Sequence, residues 1–491
     1  MIKPEHVGIA AAAAAAYPRH APFHPAVAYP EYPFTEASEE PNEVYAAARE
    51  LFRILQLDVE HYGLPSWNPL GEIITPGDKV VLKPNFVMDR HYTGGDYDSV
   101  VTHGSVLRAI LDYVAIALKG KGEIIVADAP MIDNDFQRIM QQTGLQEIAR
   151  FYASQGLHVA VYDLRVENVE TKEGLIVRRF KLPGDPAGYV PIDLGSDSEF
   201  AQVSHWHQRY RGSDYDSGET ARHHNEQVNE YLLSKTVLEA DVFINLPKLK
   251  THKKIGVTLN LKNLIGINGD KNWIPHYRLG SPGRNGDEFA MSNTLRHIES
   301  LVKDRFKEKA FAWAESNSRV GMLVARKLRG VQKAIVENTN LTKIRAGGWH
   351  GNDTIWRAVL DLNRILHYAG ADGKMHETPQ RKILSVIDGI IGGEGDGPLI
   401  TRAKPCGVLL GGGCPLAVDL CATRLMGFDY RKIPQFENAL CANKYPLMNY
   451  LSEQIICLSN AAAWRDVLHK STQLLNFQAA TGWEGKIEVI S

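Results

Sequence analysis

Cysteine is scarce in this chain of 491 residues: there are five, none before Cys406, and no two stand in a CxxC pair or a ferredoxin-type run. That spacing excludes the usual paired-cysteine zinc site and the ligand run of an iron–sulfur module, and the odd count with wide gaps fits reduced thiols in a cytoplasm. Long apolar runs are also missing. No stretch reaches the roughly 20 residues that span a bilayer, so no stable membrane insertion is expected. The alanines at 10–16 form only a short run behind Lys3, and Tyr17-Pro18-Arg19-His20 is a poor cleavage context; residues 7–13 therefore read as a first core element and not as a signal peptide. Nor is there an excess of charge, with 55 Lys and Arg against 57 Asp and Glu. A nucleic-acid binder usually needs a strongly basic balance, so the expected partner is a small molecule.

What is present has the grammar of an α/β protein. Residues 41–57 place Val44, Ala47, Ala48, Leu51, Phe52 and Leu55 on one helical face. Strands are expected at 78–85, 123–128, 158–163, 241–246, 382–388 and 406–412. Helices are expected at 105–118, introduced by Thr102 as cap, at 135–155 with a break at Gly144, at 225–239 and at 415–426. This alternation predicts a mostly parallel sheet with flanking helices. Residues 165–194, with turns at Gly174, Gly184 and Gly188, read as β-hairpin additions, and 288–370 as a helical insertion rich in Lys and Arg over 303–333. The expected organisation is an α/β part over 1–287, the insertion over 288–370, and a C-terminal α/β part over 371–491 that completes the site. The insertion is the expected surface for homo-oligomer formation.

The densest chemistry lies in Pro247-Lys-Leu-Lys-Thr-His-Lys-Lys-Ile-Gly-Val-Thr-Leu-Asn-Leu-Lys-Asn263, directly after a buried strand. Lys248, Lys250, Thr251, His252, Thr258, Lys262 and Asn263 thus cluster beyond a strand's carboxyl end, where open α/β sheets bind their ligands. Like charges so close together call for an anion. Lys83 and Asn85 end a neighbouring strand, and Thr102 and His103 open the next helix, where free N–H groups favour an anion. Asp128 adds a carboxylate at the same edge. Asp388, Glu394 and Asp396 alternate with glycines in Gly392-Gly-Glu-Gly-Asp-Gly-Pro398, and as a loop they would hold Mg²⁺ or substrate hydroxyls. Gly411-Gly-Gly-Cys-Pro415 feeds a helix but lacks the lysine of a P-loop. His223 and His224 are further ligand candidates without a metal-site spacing, and His205 and His207 alternate as in an exposed strand or loop.

The runs at 76–85, 240–252 and 256–266, together with Asp388-Gly389, Glu394-Gly-Asp-Gly-Pro398, Pro415-Leu-Ala-Val-Asp419 and Arg424-Leu-Met-Gly427, resemble the domain of unknown function 362 proteins. That family is distantly similar to the catalytic domain of lactate racemase, in which a lysine tethers a nickel-pincer nucleotide and histidines handle hydride and proton steps. The resemblance would cast Lys250 or Lys248 as an anchor and His103 and His252 as acid/base groups. Many relatives carry an iron–sulfur module whose cysteine runs this chain lacks. Cys414 replaces the acidic residue that commonly precedes Pro415.

Together these features predict a cytoplasmic enzyme acting on a small phosphate- or carboxylate-bearing substrate. Lys83, Lys248, Lys250 and Lys262 would neutralise its charge, and Lys250, His252 and His103 would carry the chemistry, with proton transfer of an isomerase type favoured. The competing expectations are a non-catalytic binder of a nucleotide or glycan precursor, and attachment of the basic helices to an anionic membrane surface.

Overall fold

The computed structural model describes residues 2–172, 175–212, 216–291, 296–297, 300–301, 304, 344–470 and 473–489. Its strands are β1 (His6–Ala11), β2 (Lys79–Pro84), β3 (Glu123–Asp128), β4 (Val159–Asp163), β5 (Glu167–Lys172), β6 (Leu175–Lys181), β7 (Tyr189–Asp193), β8 (Tyr210–Arg211), β9 (Glu230–Ser234), β10 (Val242–Leu246), β11 (Lys248–His252), β12 (Gly256–Thr258), β13 (Tyr277–Arg278), β14 (Lys382–Asp396), β15 (Ile400–Gly412) and β16 (Ile456–Ser459). Ten of them form one sheet in the order β16-β1-β15-β14-β10-β2-β3-β4, with β11 and β12 added beside β14. Neighbours from β14 through β10, β2 and β3 to β4 run parallel, whereas β15 is antiparallel to both β1 and β14. This is the expected α/β architecture.

Side chains alternate across each strand, so Val80 and Leu82 enter one core while Val81 enters the other. Both faces are covered, which is why these strands are apolar throughout. Helices Glu43–Ile54 and Gly104–Leu118 pack on one face, and Ile355–Tyr368 and Pro415–Met426 on the other.

Three sequence expectations are corrected. The helix expected at 225–239 is instead β9 followed by the short helix Lys235–Leu238; Tyr231 and Leu233 are buried in alternation against β7, a period of two. The glycine-rich run at 392–396 is no loop but the far half of β14, paired with β15 through Asp396↔Ile400. Gly392 and Gly393 serve close packing, since a Cβ at Gly392 would press into the Phe477 ring and one at Gly393 into the Ser99 carbonyl. His205 and His207 lie on a 3₁₀ helix, Ala201–Arg209, and not on a strand. The hairpin β5–β6 falls within the additions expected at 165–194. Of the insertion, Ile355–Tyr368 is helical, and the basic run at 305–333 lies outside the described residues.

Candidate functional site

The parallel strands β2, β3 and β10 bring their carboxyl ends to one edge, and a polar cluster is built there. Lys83 Nζ donates to Asp128 Oδ1 (2.7 Å), Asn263 Oδ1 (3.1 Å) and the Pro84 carbonyl (3.0 Å). Asp128 also accepts from the Phe86 N–H (2.8 Å). Asn85 Nδ2 donates to Asn263 Oδ1 (3.0 Å), and Asn263 Nδ2 reaches Asn245 Oδ1 (2.8 Å). Gly266 closes over this node; any Cβ there would collide with Asp128 and Lys83. Burial disfavours the charge on Lys83, and Asp128 offsets that only in part.

Beyond β10, Pro247 turns the chain into β11, which runs parallel to β14 and antiparallel to β12. Its even-numbered residues Lys248, Lys250 and His252 share one face, and Thr251 takes the other. Lys248 is compensated: its Nζ meets Asp388 Oδ2 (3.0 Å) and the Tyr17 hydroxyl (2.6 Å), which itself donates to Asp388 Oδ1 (2.6 Å). Lys250 is different. It is fully buried, donates to the backbone carbonyl of Val100, and lies in register with Thr258. Burial, then the charges of Lys248 and Lys262, hold its pKa well below that of an ordinary lysine. His252 accepts the Lys254 N–H at Nδ1 (3.0 Å), so its proton sits on Nε2. Burial, followed by Lys262, Lys254, Lys250 and Lys253, keeps its ring neutral.

Further cations face the same region. Burial brings Lys262 down to about 8, with Lys83 adding to the effect, and its Nζ makes no hydrogen bond among the described residues. Buried Lys271 is brought to about 7 by desolvation, and its Nζ donates to the carbonyls of Ile265 (2.6 Å) and Asn268 (3.0 Å). His276 is held neutral by burial and by Lys254 and Lys262. The carboxylate acting on Lys250, Lys262 and Lys271 alike is Asp128, already engaged by Lys83. Two acceptors in this neighbourhood, Asn85 Oδ1 and Thr258 Oγ1, are buried without a hydrogen-bond partner among the described residues.

The sequence-predicted residues thus divide. Lys83, Asn85, Lys250, His252, Thr258, Lys262 and Asn263 are brought together. Thr102 hydroxyl binds the Leu246 carbonyl (2.6 Å) and accepts the Asn85 N–H (2.9 Å), so it ties two strand ends. His103, not Thr102, caps helix Gly104–Leu118, accepting the Ser105 N–H at Nδ1. Its ring stacks on Tyr17 at 4.0 Å, and burial lowers its pKa to about 3, so it fits the acid/base role expected of it poorly. Thr251 donates to the Gly395 carbonyl (2.7 Å), clamping β11 to β14.

The expected metal carboxylates do not converge. Asp388 serves Lys248 and the His103 N–H (3.0 Å), Glu394 faces Lys404 (3.1 Å) and Gln478 N–H (2.9 Å), and Asp396 receives the Thr481 N–H (2.9 Å). They are strung along one extended strand, which separates them. Among the described residues no three His, Cys, Asp or Glu side chains are grouped to hold a metal.

Sequence reasoning passed over Lys271, His276, Tyr17 and Asp419. Asp419, from the helix Pro415–Met426, accepts from Asn260 N–H (2.8 Å), Asn260 Nδ2 (2.8 Å) and Leu261 N–H (2.9 Å), fixing the turn that carries Lys262 and Asn263. Its place in the 415–419 run was the available signal. Tyr17 sits in an irregular proline-rich connector, where periodicity says nothing.

Comparison with known proteins gives a relative 34% identical over 79 residues, a thylakoid-associated protein of Synechocystis sp., the match covering 16% of this chain and 21% of that protein. A crystal structure of a Thermotoga maritima protein aligns over 74% of this chain and 53% of its own, at 11% identity and a TM-score of 0.30. The chain therefore spans about a fifth of the curated relative and about half of the solved protein. No helix among the described residues is long and apolar enough to cross a membrane. A family match covers residues 80–188 and 206–424, taking in every strand of the polar edge from β2 to β14, and by it the chain belongs to the family described as domain of unknown function (DUF362).

Proposed function

We propose that the protein is an enzyme that binds a small phosphate- or carboxylate-bearing substrate through Lys250, Lys262 and Lys271 and acts on it by proton transfer. One observation carries this: three lysines share a single carboxylate, Asp128, that Lys83 already occupies. A desolvated cation with only carbonyl partners is costly, and an entering anion both neutralises it and returns its proton.

Within that site His252, with Nδ1 engaged, offers its Nε2–H to a developing oxyanion. Neutral imidazole suits this donor role better than that of a base, because its one free nitrogen already bears the proton. Lys250, returned to its ammonium form by the bound anion, has a proton to give to the substrate as general acid. Thr258 and Asn85 supply hydrogen-bonding atoms for the substrate's polar groups.

The test is calorimetric titration of inorganic phosphate into the full chain near neutral pH. Lys250→Ala and Lys262→Ala are each expected to weaken binding by about tenfold or more, the loss of one charge-assisted hydrogen bond. Lys250→Met should bind as weakly and melt no lower than the wild type, because it removes an uncompensated buried amine. Equal phosphate affinity in all the variants would remove the proposal.

A further inference from the structure

The five cysteines are spread widely in the sequence, yet two of their sulfurs meet. Cys421 lies on the helix Pro415–Met426 and Cys457 on β16, the edge strand beside β1. Both side chains are buried, and their Sγ atoms are 3.1 Å apart. That is about 1 Å beyond the ~2.05 Å of a disulfide bond. Cys406, Cys414 and Cys441 direct their sulfurs instead to the backbone carbonyls of Lys404, Leu447 and Glu437.

We propose that Cys421 and Cys457 are a reversible disulfide site whose oxidation staples the Asp419-bearing helix to the edge of the sheet. The co-reactant is a small disulfide of the glutathione class. Cys457 thiolate attacks one sulfur of that disulfide, the S–S bond breaks, and one small thiolate leaves. Cys421, after losing its proton, attacks the Cys457 sulfur of the mixed disulfide and expels the second thiolate. The two protein thiols give up two protons and two electrons, and the small disulfide is reduced to two thiols. The order of attack follows from the environment. Cys457, on the edge strand, is 6% exposed and is reached first, whereas Cys421, on the packed helix, is 0% exposed and burial holds its thiol high.

The staple reaches the polar edge through one helix. Asp419 stands two residues before Cys421 and anchors Asn260 and Leu261, so oxidation restrains the element that positions Lys262. The bond itself is independent of any substrate.

The experiment equilibrates the full chain in oxidised and reduced glutathione at several ratios, quenches with acid, alkylates the unfolded chain and maps its peptides by mass spectrometry. Under oxidising ratios the 421–457 cross-linked peptide should dominate and revert under reducing ones, while exposed Cys441 carries glutathione. The oxidised wild type should also melt several degrees higher than the reduced, a shift absent from Cys421→Ala and Cys457→Ala. Alkylation of Cys421 and Cys457 at every ratio would overturn the proposal, as would their pairing with other cysteines. The peptide map needs no variant, so a misfolded mutant leaves it decisive.

Discussion

Two lysines spaced by one residue on β11 have opposite fates, and the difference lies in what faces them. Lys248 meets Asp388 and Tyr17 and is compensated; Lys250 meets one carbonyl and two further lysines. The pH dependence follows from the neighbouring pair. Lys262 at about 8 and Lys271 at about 7 have folded pKa values depressed below the ordinary 10.5. Between those values and 10.5 the unfolded chain binds more protons than the folded one, so the free protein gains stability as pH rises from about 7 towards 10. Phosphate binding runs the other way, since the anion needs the protonated amines. Its affinity is expected to fall as pH climbs through 7 to 9, by up to about tenfold per unit for each lysine that must take up a proton. Calorimetry in buffers of different ionisation enthalpy should register net proton uptake at pH 8. A flat affinity across that range, or no uptake, would show that neither Lys262 nor Lys271 answers to the anion.

At the scale of elements, the turn at 260–263 is too short to hold itself, and the Asp419 carboxylate stands in for its missing partners. Burial pushes that carboxyl up to about 7, against the pull of the three N–H donors. Asp419→Ala would leave buried donors unsatisfied and should cost roughly 2–4 kcal/mol in urea unfolding. It should also weaken phosphate binding, because Lys262 rides on that turn; intact affinity alongside the lost stability would confine Asp419 to the core. The strands β2, β3 and β10 and the helix Pro415–Met426 were readable because a buried parallel strand is an apolar run and a packed helix has a period of 3.6. β9 was not, since Tyr231, Leu232 and Leu233 are all apolar and flanking polar residues mimic a helix face. The glycines at 392, 393 and 395 misled for a related reason: glycine signals a loop locally, but here the Phe477 ring crowds Gly392, the Ser99 carbonyl excludes a side chain at Gly393, and Gly395 takes a positive φ within the strand. The lysines were legible as charge, but which of them keeps a carboxylate was decided by Asp388 and Asp128, distant in sequence.

On the scale of the whole molecule, the sheet interleaves the two ends of the chain. β1 lies between β15 and β16, and β14 lies between β15 and β10. Cutting the chain at about 287 would therefore strip β10 of a central neighbour and leave β1 without either partner. The exposed edge would be β10, whose five residues are all buried in the intact protein. Such an apolar edge pairs with other chains, so a fragment of residues 1–287 made alone should aggregate, and one of 371–491 should lack stable secondary structure. Co-expression of 1–287 with 288–491, which keeps the helix Ile355–Tyr368 over the sheet, should recover soluble complex if the sheet is the organising unit. Recovery of a monomeric 1–287 fragment with cooperative unfolding would mean that β2, β3, β4 and β10 suffice as a core. The polar edge would then be separable from β14, and Lys248 would lose both Asp388 and the cover of the strand it pairs with. Phosphate titration of that fragment would show whether Lys262 and Lys271 hold the anion without β14.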